Sequence, residues 1–386
     1  MHILLYERNA YNQSDFTNAL KEAGIKISTF QYKFDDKNRD DAFLSSFIKL
    51  LKDTAYDAVF SINYYPLLAE GCYQTNTKYI SWSYDCPLDV RNIEDTLGFS
   101  TNYVFLFDKI QAYTYIDKGF ENVYHLPLAV NTNRLDKMKP THYHASKYGG
   151  DVAFVGSLYE SVYPELIKIL PDYIKGYLDS MCETQLLLYG CFFLDNTITS
   201  ELLDSINKVY HEVYPKENFH IIREELSFTM ATQITNYERT RLLKMLSLIP
   251  DTKINLFSKN SLEDKSIINK GTIAYLNEMP YVFKTNKINL NISLKCIQSG
   301  IPLRALDILG CGGFLLSNYQ PELLEYFTPN VDCAVYSSME EAKELTKYYL
   351  QHEEERKKIA RHGYETAKEY FNYEKQLKQI FEVVKI

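Results

Sequence analysis

The stretch that decides the fold lies between residues 287 and 316. Residues 287–293 are Lys-Ile-Asn-Leu-Asn-Ile-Ser, residues 299–307 are Ser-Gly-Ile-Pro-Leu-Arg-Ala-Leu-Asp, and residues 314–316 are Phe-Leu-Leu. Alternating polar and apolar side chains in the first segment predict a strand, and the apolar run in the last segment predicts another. Pro302 suits the first turn of a helix between them, because its missing N–H is not needed there. Strand, helix and strand in this order predict one unit of a parallel sheet.

The same alternation of strands and helices extends over the rest of the chain. In the first part it predicts strands at 3–6, 25–29, 57–62, 78–83, 103–107 and 122–126. Residues 131–150 are mostly polar, with Pro140 and two glycines, and predict a linker. Further strands are then predicted at 152–156, 185–189, 253–257, 287–292, 313–316 and 333–336. We therefore expect an α/β protein with two Rossmann-like domains, 1–138 and 147–365, that face each other across a cleft.

Composition and charge exclude several classes of protein. The 386 residues carry a formal net charge of −8, without the excess of Lys and Arg that is typical of nucleic-acid binding. The sequence has neither a secretory signal pattern nor a run of about 18 apolar residues, so we expect no transmembrane segment. The seven cysteines form no C-x-x-C pair and indicate reduced thiols in a cytoplasmic protein. The histidines lack metal-ligand spacing, and His125 fits a core or interface position.

Two segments at the carboxyl ends of predicted strands are candidates for binding a nucleotide diphosphate, because ligands bind there in open α/β sheets. Gly156 ends one such strand and Ser157 follows it, although an ordinary strand-to-helix turn is the alternative since G-x-G-x-x-G is missing. The backbone amides of Ser299, Gly300 and Ile301 precede the predicted helix. Unpaired N–H groups at a helix start favour a diphosphate.

Charged side chains next to these segments indicate the same chemistry. Arg304 is suited to bidentate pairing with phosphate oxygens, and Asp307, three residues on, is suited to accept hydrogen bonds from ribose hydroxyls. The alternative is a surface ion pair between the two. Lys287 and Asn291 on the preceding strand are further candidates for the donor site. Arg239 is another, although it fits a solvent-exposed helix charge better.

Residues 287–327 resemble the C-terminal domain of the CgeB-like, or spore-maturation-type, glycosyltransferases. Shorter segments that resemble the same family are 80–87, 104–108, 126–131 and 151–157. The resemblance implies a GT-B fold that binds a nucleotide-sugar mainly through its C-terminal domain, with a final helix at about 366–386 that crosses back to the N-terminal domain. It aligns Asp307 with the second, ribose-binding acid of the E-x7-E pattern of retaining members. Ser299 replaces the first acid, which leaves the stereochemistry open.

Residues on the N-terminal side of the cleft are candidates for the acceptor site. Asp85 follows an aromatic-rich strand, where partial desolvation would raise its pKa toward that of a general base for an acceptor hydroxyl. The alternative is a turn-forming Asp close to Pro87. Tyr84 beside it, together with Asn9 and Asn12 in the loop after the first strand, are expected to line the same side.

Together with these features, the resemblance implies a cytoplasmic glycosyltransferase of the hexosyltransferase type. The donor is expected to be a nucleotide-diphosphate sugar, a UDP-sugar above all, and the resemblance implies a protein or surface-glycan acceptor. No D-x-D motif occurs, so we expect no metal or other cofactor, with basic groups stabilising the departing diphosphate. A nucleotide-sugar epimerase or hydrolase and a non-catalytic nucleotide-sugar-binding scaffold protein are the alternatives.

Overall fold

The computed structural model describes residues 1–8, 10–34, 36, 39–88, 90–217 and 219–386. Over these residues the chain forms two parallel sheets of six strands each. The strands of the first sheet are β1 (His2–Tyr6), β2 (Lys26–Phe30), β3 (Ala58–Ile62), β4 (Lys78–Ser83), β5 (Asn102–Leu106) and β6 (Val123–His125). The strands of the second sheet are β7 (Gly150–Val155), β8 (Ile254–Phe257), β9 (Ile267–Asn269), β10 (Asn286–Asn291), β11 (Leu315–Asn318) and β12 (Ala334–Tyr336).

Helices cover both sheets. Those of the N-terminal domain are α1 (Gln13–Glu22), α2 (Asp41–Asp53), α3 (Pro66–Thr75), α4 (Glu94–Leu97) and α5 (Lys109–Asp117), and α6 (Thr132–Lys137) and α7 (His142–Tyr148) connect the domains. Those after β7 are α8 (Tyr163–Ile167), α9 (Asp172–Leu186), α10 (Leu194–Thr197), α11 (Ser200–Val213), α12 (Arg223–Leu246), α13 (Met279–Thr285), α14 (Leu303–Gly310), α15 (Pro321–Tyr326), α16 (Met339–Gln351), α17 (Glu353–Tyr370) and α18 (Tyr373–Val384). Of the helices in the described ranges, none is both long and apolar enough to cross a membrane.

The order of the strands creates a crevice in the second sheet. The order is β2-β1-β3-β4-β5-β6 in the first sheet and β12-β11-β10-β7-β8-β9 in the second. In the second sheet β7 lies between β8 and β10. After β7 the chain adds β8 and β9 on one side of it, and then adds β10, β11 and β12 on the other side. Neighbouring strands with connections on opposite faces leave a crevice at their carboxyl ends. The loops after β7 and β10 border this crevice.

Two local predictions differ from the structure. The predicted strand at 185–189 is wrong, because α9 continues to Leu186 and Leu187 is 74% exposed. The buried residues of α9, including Leu178 and Cys182, recur at helical spacing, and the edge position of the sheet is taken by β9 instead. Residues 131–150, which were expected to form a linker, contain the short helices α6 and α7.

The end of the chain returns to the N-terminal domain, as the resemblance implies. The amide of Val130 donates to the carbonyl of Phe371 at 2.8 Å, and Lys78 Nζ donates to the carbonyl of Val384 at 2.8 Å. The ring of Tyr373 lies 6.5 Å from that of Phe16 on α1. One apolar cluster therefore spans both domains and closes the cleft at this side.

Candidate functional site

Arg239 joins the ends of β7 and β10. Its Nη1 donates to the carbonyl of Ser157 at 2.6 Å, and its Nε donates to the carbonyl of Ile292 at 3.1 Å. The prediction of a solvent-exposed charge is wrong, because Arg239 is only 2% exposed. Thr235 and Leu242, one turn away on either side, are also buried, so the helical spacing already places position 239 on the core face.

Arg304 reaches the same strand end from the first turn of α14. Its guanidinium lies 5.3 Å from the ring centre of Phe154 on β7, and that of Arg239 lies 5.2 Å from it. Burial, and then the positive charge of Arg304, lowers the pKa of Arg239 below its ordinary value. Among the described residues no carboxylate forms an ion pair or hydrogen bond with either guanidinium. Two positive charges therefore converge on the loop that begins at Gly156.

Asp307 lies one turn further along α14 and is 3% exposed. Its Oδ1 accepts a hydrogen bond from the hydroxyl of Tyr275 at 3.0 Å. Burial is the largest influence on this carboxyl group and raises its pKa to about 7, because desolvation disfavours the charged form. Arg304 and Asp307, both described by the structure, form no direct ion pair, so the surface-pair alternative is not what the helix contains. Asp307 instead accepts a hydrogen bond from the hydroxyl of Tyr275.

The backbone amides expected to bind the diphosphate have another partner. The N–H groups of Gln298, Ser299 and Gly300 donate to Asp108 Oδ2 at 2.8, 2.8 and 3.0 Å. Ile301 is 2% exposed and packs in the apolar cluster between the domains. This conformation contradicts the predicted diphosphate-binding role of the Ser299 and Gly300 amides, because a carboxylate of the N-terminal domain already accepts their hydrogen bonds. The predicted role of the Ile301 amide stays a prediction.

Lys287 and Asn291 lie at opposite ends of β10. Lys287 is at the amino end, away from the crevice, and its Nζ pairs with Asp151 Oδ1 at 2.8 Å, so this position contradicts its predicted role in donor binding. Asn291 is fully buried at the carboxyl end, where its Nδ2 donates to Ser317 Oγ at 3.0 Å. Asn291 therefore joins β10 to β11 beneath the crevice.

Asp85 lies beyond the carboxyl end of β4 and is exposed. Its Oδ2 accepts a hydrogen bond from Asn63 Nδ2 at 2.6 Å. The predicted partial desolvation is therefore wrong, because the loop holds this carboxylate in solvent. The residue still borders the cleft, since the thiol of Cys86 contacts the carbonyl of Cys296 in the other domain at 3.9 Å.

Asn12 and Tyr84 are brought together by the C-terminal helix. Asn12 is 3% exposed, and its Nδ2 donates to the hydroxyl of Tyr373 at 3.4 Å. Burial, and then the neighbouring Tyr373, raises the pKa of Tyr84 well above its ordinary value. Asn9 lies outside the described residues. Sequence reasoning missed Tyr373, which the fold brings to the N-terminal side of the cleft from the far end of the chain.

Two other residues of the site were also missed. Asp108 follows the buried strand β5 at its carboxyl end, which is the position that selects ligand-binding residues in such sheets, so its signal was present. Tyr275 lies between β9 and α13 in a stretch without apolar periodicity, and nothing in the sequence indicates its contact with Asp307.

Comparisons with known proteins agree with this architecture. The sucrose-phosphate synthase of Thermosynechococcus elongatus is 10% identical, with a TM-score of 0.58 over 100% of this chain and 98% of that protein. The chain has the GT-B glycosyltransferase fold. HepE of Anabaena, solved with UDP-glucose, is 10% identical with a TM-score of 0.57, over 100% of this chain and 99% of its own. WaaG, a glycosyltransferase involved in lipopolysaccharide biosynthesis, is 11% identical with a TM-score of 0.53, over 99% of each chain.

The sequence comparison supports the same class of enzyme. Residues 239–382 match the glycosyl transferase-like family, a span that runs from α12 into α18 and includes Arg304 and Asp307. No curated protein sequence matches the chain. The predicted fold and the predicted enzyme class, a glycosyltransferase, are confirmed. The narrower CgeB-like assignment, the domain boundaries and the roles of individual site residues stay predictions.

Proposed function

We propose that this glycosyltransferase takes its sugar from a UDP-sugar whose diphosphate binds at the end of β7. The observation that carries the proposal is the pair of guanidinium groups, Arg239 and Arg304, that converge on the loop after Val155 without a carboxylate partner among the described residues. Two guanidinium groups that share a largely buried site, without a carboxylate hydrogen-bonded to either, favour a polyanion. HepE, of the same fold, was solved with UDP-glucose, which supports the choice of nucleotide.

The ribose is proposed to bind Asp307. Its carboxylate already accepts a hydroxyl from Tyr275 at 3.0 Å, so a ribose hydroxyl would replace that contact with one of the same kind. Asp307 lies one helical turn from Arg304, which matches the order of ribose and diphosphate within the nucleotide. Donor binding would therefore displace the side chain of Tyr275.

The proposed chemistry is electrostatic and needs no metal ion. As the bond between the anomeric carbon and the β-phosphate oxygen breaks, negative charge grows on the departing UDP, and the guanidinium of Arg304 stabilises it. The acceptor hydroxyl forms the new bond to the anomeric carbon, and its proton passes to Asp85 at the opposite side of the cleft. An exposed carboxylate can serve this step, because the acceptor hydroxyl loses its proton as the new bond forms.

A protein or surface-glycan acceptor is proposed on the resemblance of residues 287–327 to the CgeB-like enzymes. A cytoplasmic location is proposed on the seven cysteines, which form no C-x-x-C pair. The buried polar group formed by Asn12, Tyr84 and Tyr373 supports an acceptor that offers hydroxyl groups, because amide and phenol groups pair with hydroxyls in either direction. The transferred sugar is proposed to be a hexose.

The test is a nucleotide panel on wild type and Arg304→Ala, followed by thermal unfolding. UDP at about one hundred times its Kd should stabilise wild type by roughly 2.7 kcal/mol without added metal ion. The variant should be stabilised much less, while Arg241→Ala, which removes an exposed guanidinium of α12, should behave as wild type. If none of UDP, GDP, ADP and TDP stabilises wild type, the proposed donor site is refuted. If the enzyme hydrolyses the donor at the same rate with and without any acceptor, a hydrolase is favoured.

A further inference from the structure

The N-terminal domain holds a loop of the C-terminal domain through one carboxylate. Asp108 follows β5 and is fully buried. Its Oδ2 accepts three consecutive backbone N–H groups, those of residues 298–300, at 2.8, 2.8 and 3.0 Å. Its Oδ1 accepts from the amide of Gln111 at 2.9 Å and so also caps α5. One side chain therefore fixes the start of a helix in its own domain and a loop in the other.

A second carboxylate makes the reciprocal contact. Glu322 of α15 is fully buried, and its Oε1 accepts from the amide of Lys109 at 2.7 Å and from Ser299 Oγ at 2.7 Å. Its Oε2 lies 2.7 Å from His125 Nε2 at the end of β6. Buried carboxylates are costly without such partners. Separation of the domains breaks the bonds from residues 298–300 to Asp108 and those from Lys109 and His125 to Glu322 together. We call Asp108, His125, Ser299 and Glu322 the interdomain latch.

The approach of the domains at the latch is too close for a larger residue. A β-carbon on Gly300 would lie 2.7 Å from Phe107 Cδ2 and 3.0 Å from the Cα of Asp108. Real β-carbons do not approach other atoms so closely, so this contact requires glycine. The loop then continues through Pro302 into α14, which carries Arg304 and Asp307.

We propose that Asp108 is a positioning residue that sets the donor-binding face of α14 when the two domains close. It holds the amides of residues 298–300, and α14 begins three residues after them, so the position of Arg304 depends on a group in the other domain. Opening of the cleft breaks the latch and releases this loop. Arg304 then loses its position, so the nucleotide left after transfer dissociates as the domains open. The consequence for the nucleotide rests on the proposed function, whereas the latch itself does not.

Two cysteines report on the same boundary. The thiol of Cys86 contacts the carbonyl of Cys296 at 3.9 Å, and the thiol of Cys296 contacts the carbonyl of Cys86 at 3.7 Å. Both thiols are buried, and separation of the domains exposes them. Cys72 and Cys333 are buried inside their own domains and serve as references for global unfolding.

The experiment compares wild type, Asp108→Asn and the exposed control Asp117→Asn by alkylation followed by peptide mass spectrometry. Asn has one acceptor oxygen and cannot satisfy both the loop amides and Gln111. We expect Asp108→Asn to raise the alkylation rates of Cys86 and Cys296 about tenfold or more, with Cys72 and Cys333 unchanged, and to weaken UDP binding about tenfold. Asp117→Asn should match wild type in both measurements.

Unchanged alkylation of Cys86 and Cys296 in Asp108→Asn would overturn the latch. Faster alkylation with unchanged UDP affinity would overturn the positioning role. If all four thiols of Asp108→Asn react faster, the same alkylation and UDP-binding measurements are made on Ser299→Ala, and the same outcomes decide. This variant removes only the hydroxyl between the two carboxylates. Failure of wild type to bind UDP contradicts the proposed function instead, and the thiol measurement still decides the latch.

Discussion

The guanidinium of Arg304 lies against the backbone of Gly156, where a β-carbon would overlap Nη2 and Cζ. Gly156 has a backbone φ of +150°, which residues other than glycine rarely adopt. The absence of a side chain at position 156 is therefore what allows an arginine of α14 to reach the end of β7. The same guanidinium lies over the ring of Phe154, 5.3 Å from its centre, so Arg304 has contacts on two sides.

Gly156→Ala should displace Arg304 and weaken UDP binding. Losing one charged hydrogen-bonding group to a phosphate costs about 1.5–3 kcal/mol, which corresponds to a Kd roughly 10- to 150-fold higher. The measurement is calorimetric titration with UDP. Gly176→Ala in α9 is the matched control, because a β-carbon there meets no atom within 4 Å, and it should leave the affinity unchanged. Equal UDP affinity of Gly156→Ala and wild type would show that Arg304 does not contact the nucleotide.

Arg239 and Arg241 lie on the same helix and allow a matched test of burial. Arg239 is 2% exposed and bonded to two loop carbonyls, whereas Arg241 is partly exposed and pairs with Glu183. Arg239→Lys keeps the charge but cannot reach both Ser157 and Ile292. We expect a UDP Kd about tenfold higher for Arg239→Lys and no change for Arg241→Lys. A change of equal size in both variants would point to long-range charge rather than to this site.

The repeated strand–helix pattern and the segment at 287–316 were sufficient to predict two Rossmann-like domains. Periodicity failed at residues 185–189, because three consecutive leucines fit either a strand or the end of a helix when the tertiary packing is unknown. The same ambiguity did not affect β10, where Ile288 and Leu290 alternate with asparagines that prove to be buried.

Only part of the proposed donor site can be named from the sequence, because the groups that form it come from distant segments of the chain. Arg304 and Asp307 lie in one helix and were identified together. Asp108 accepts hydrogen bonds from backbone amides that would otherwise be available to an anion, and Tyr275 donates a hydrogen bond to Asp307. No local sequence pattern connects either residue to its partner. Sequence spacing shows which side chains and amides one helix or loop can present to a ligand. Contacts from the other domain determine which of these groups stay free to bind it.

Asp307 should make folding stability depend on pH. Burial raises its pKa from 3.8 to about 7, so the folded state holds a proton that the unfolded state has lost between these values. The contribution of Asp307 to the free energy of unfolding therefore falls as pH rises from about 4 to about 7 and is constant above that range. Urea unfolding of wild type and Asp307→Asn at several pH values measures the difference, which should change across this window in favour of the variant.

The control for this prediction is Asp204→Asn, an exposed position on α11. Its difference from wild type should not follow the same pH window. A ribose hydroxyl donates to the charged carboxylate, so UDP binding to wild type should also tighten as pH rises through about 7. Parallel pH profiles for wild type and Asp307→Asn would contradict the burial of an ionisable group at this position.

Removing the carboxylate of Asp85 should lower kcat without changing the affinity for UDP. Its carboxylate is exposed and lies on the N-terminal side of the cleft, away from the guanidinium groups that are proposed to hold UDP. Asp85→Asn keeps the hydrogen bond from Asn63 to an oxygen but removes the ability to take a proton. Loss of a general base lowers kcat by about 10²- to 10⁴-fold, and the Kd for UDP should stay at the wild-type value. Asp117→Asn, at the exposed end of α5, is the control for removal of one surface charge. A kcat within about twofold of wild type would exclude Asp85 as the base and leave the acceptor proton to another group of the cleft.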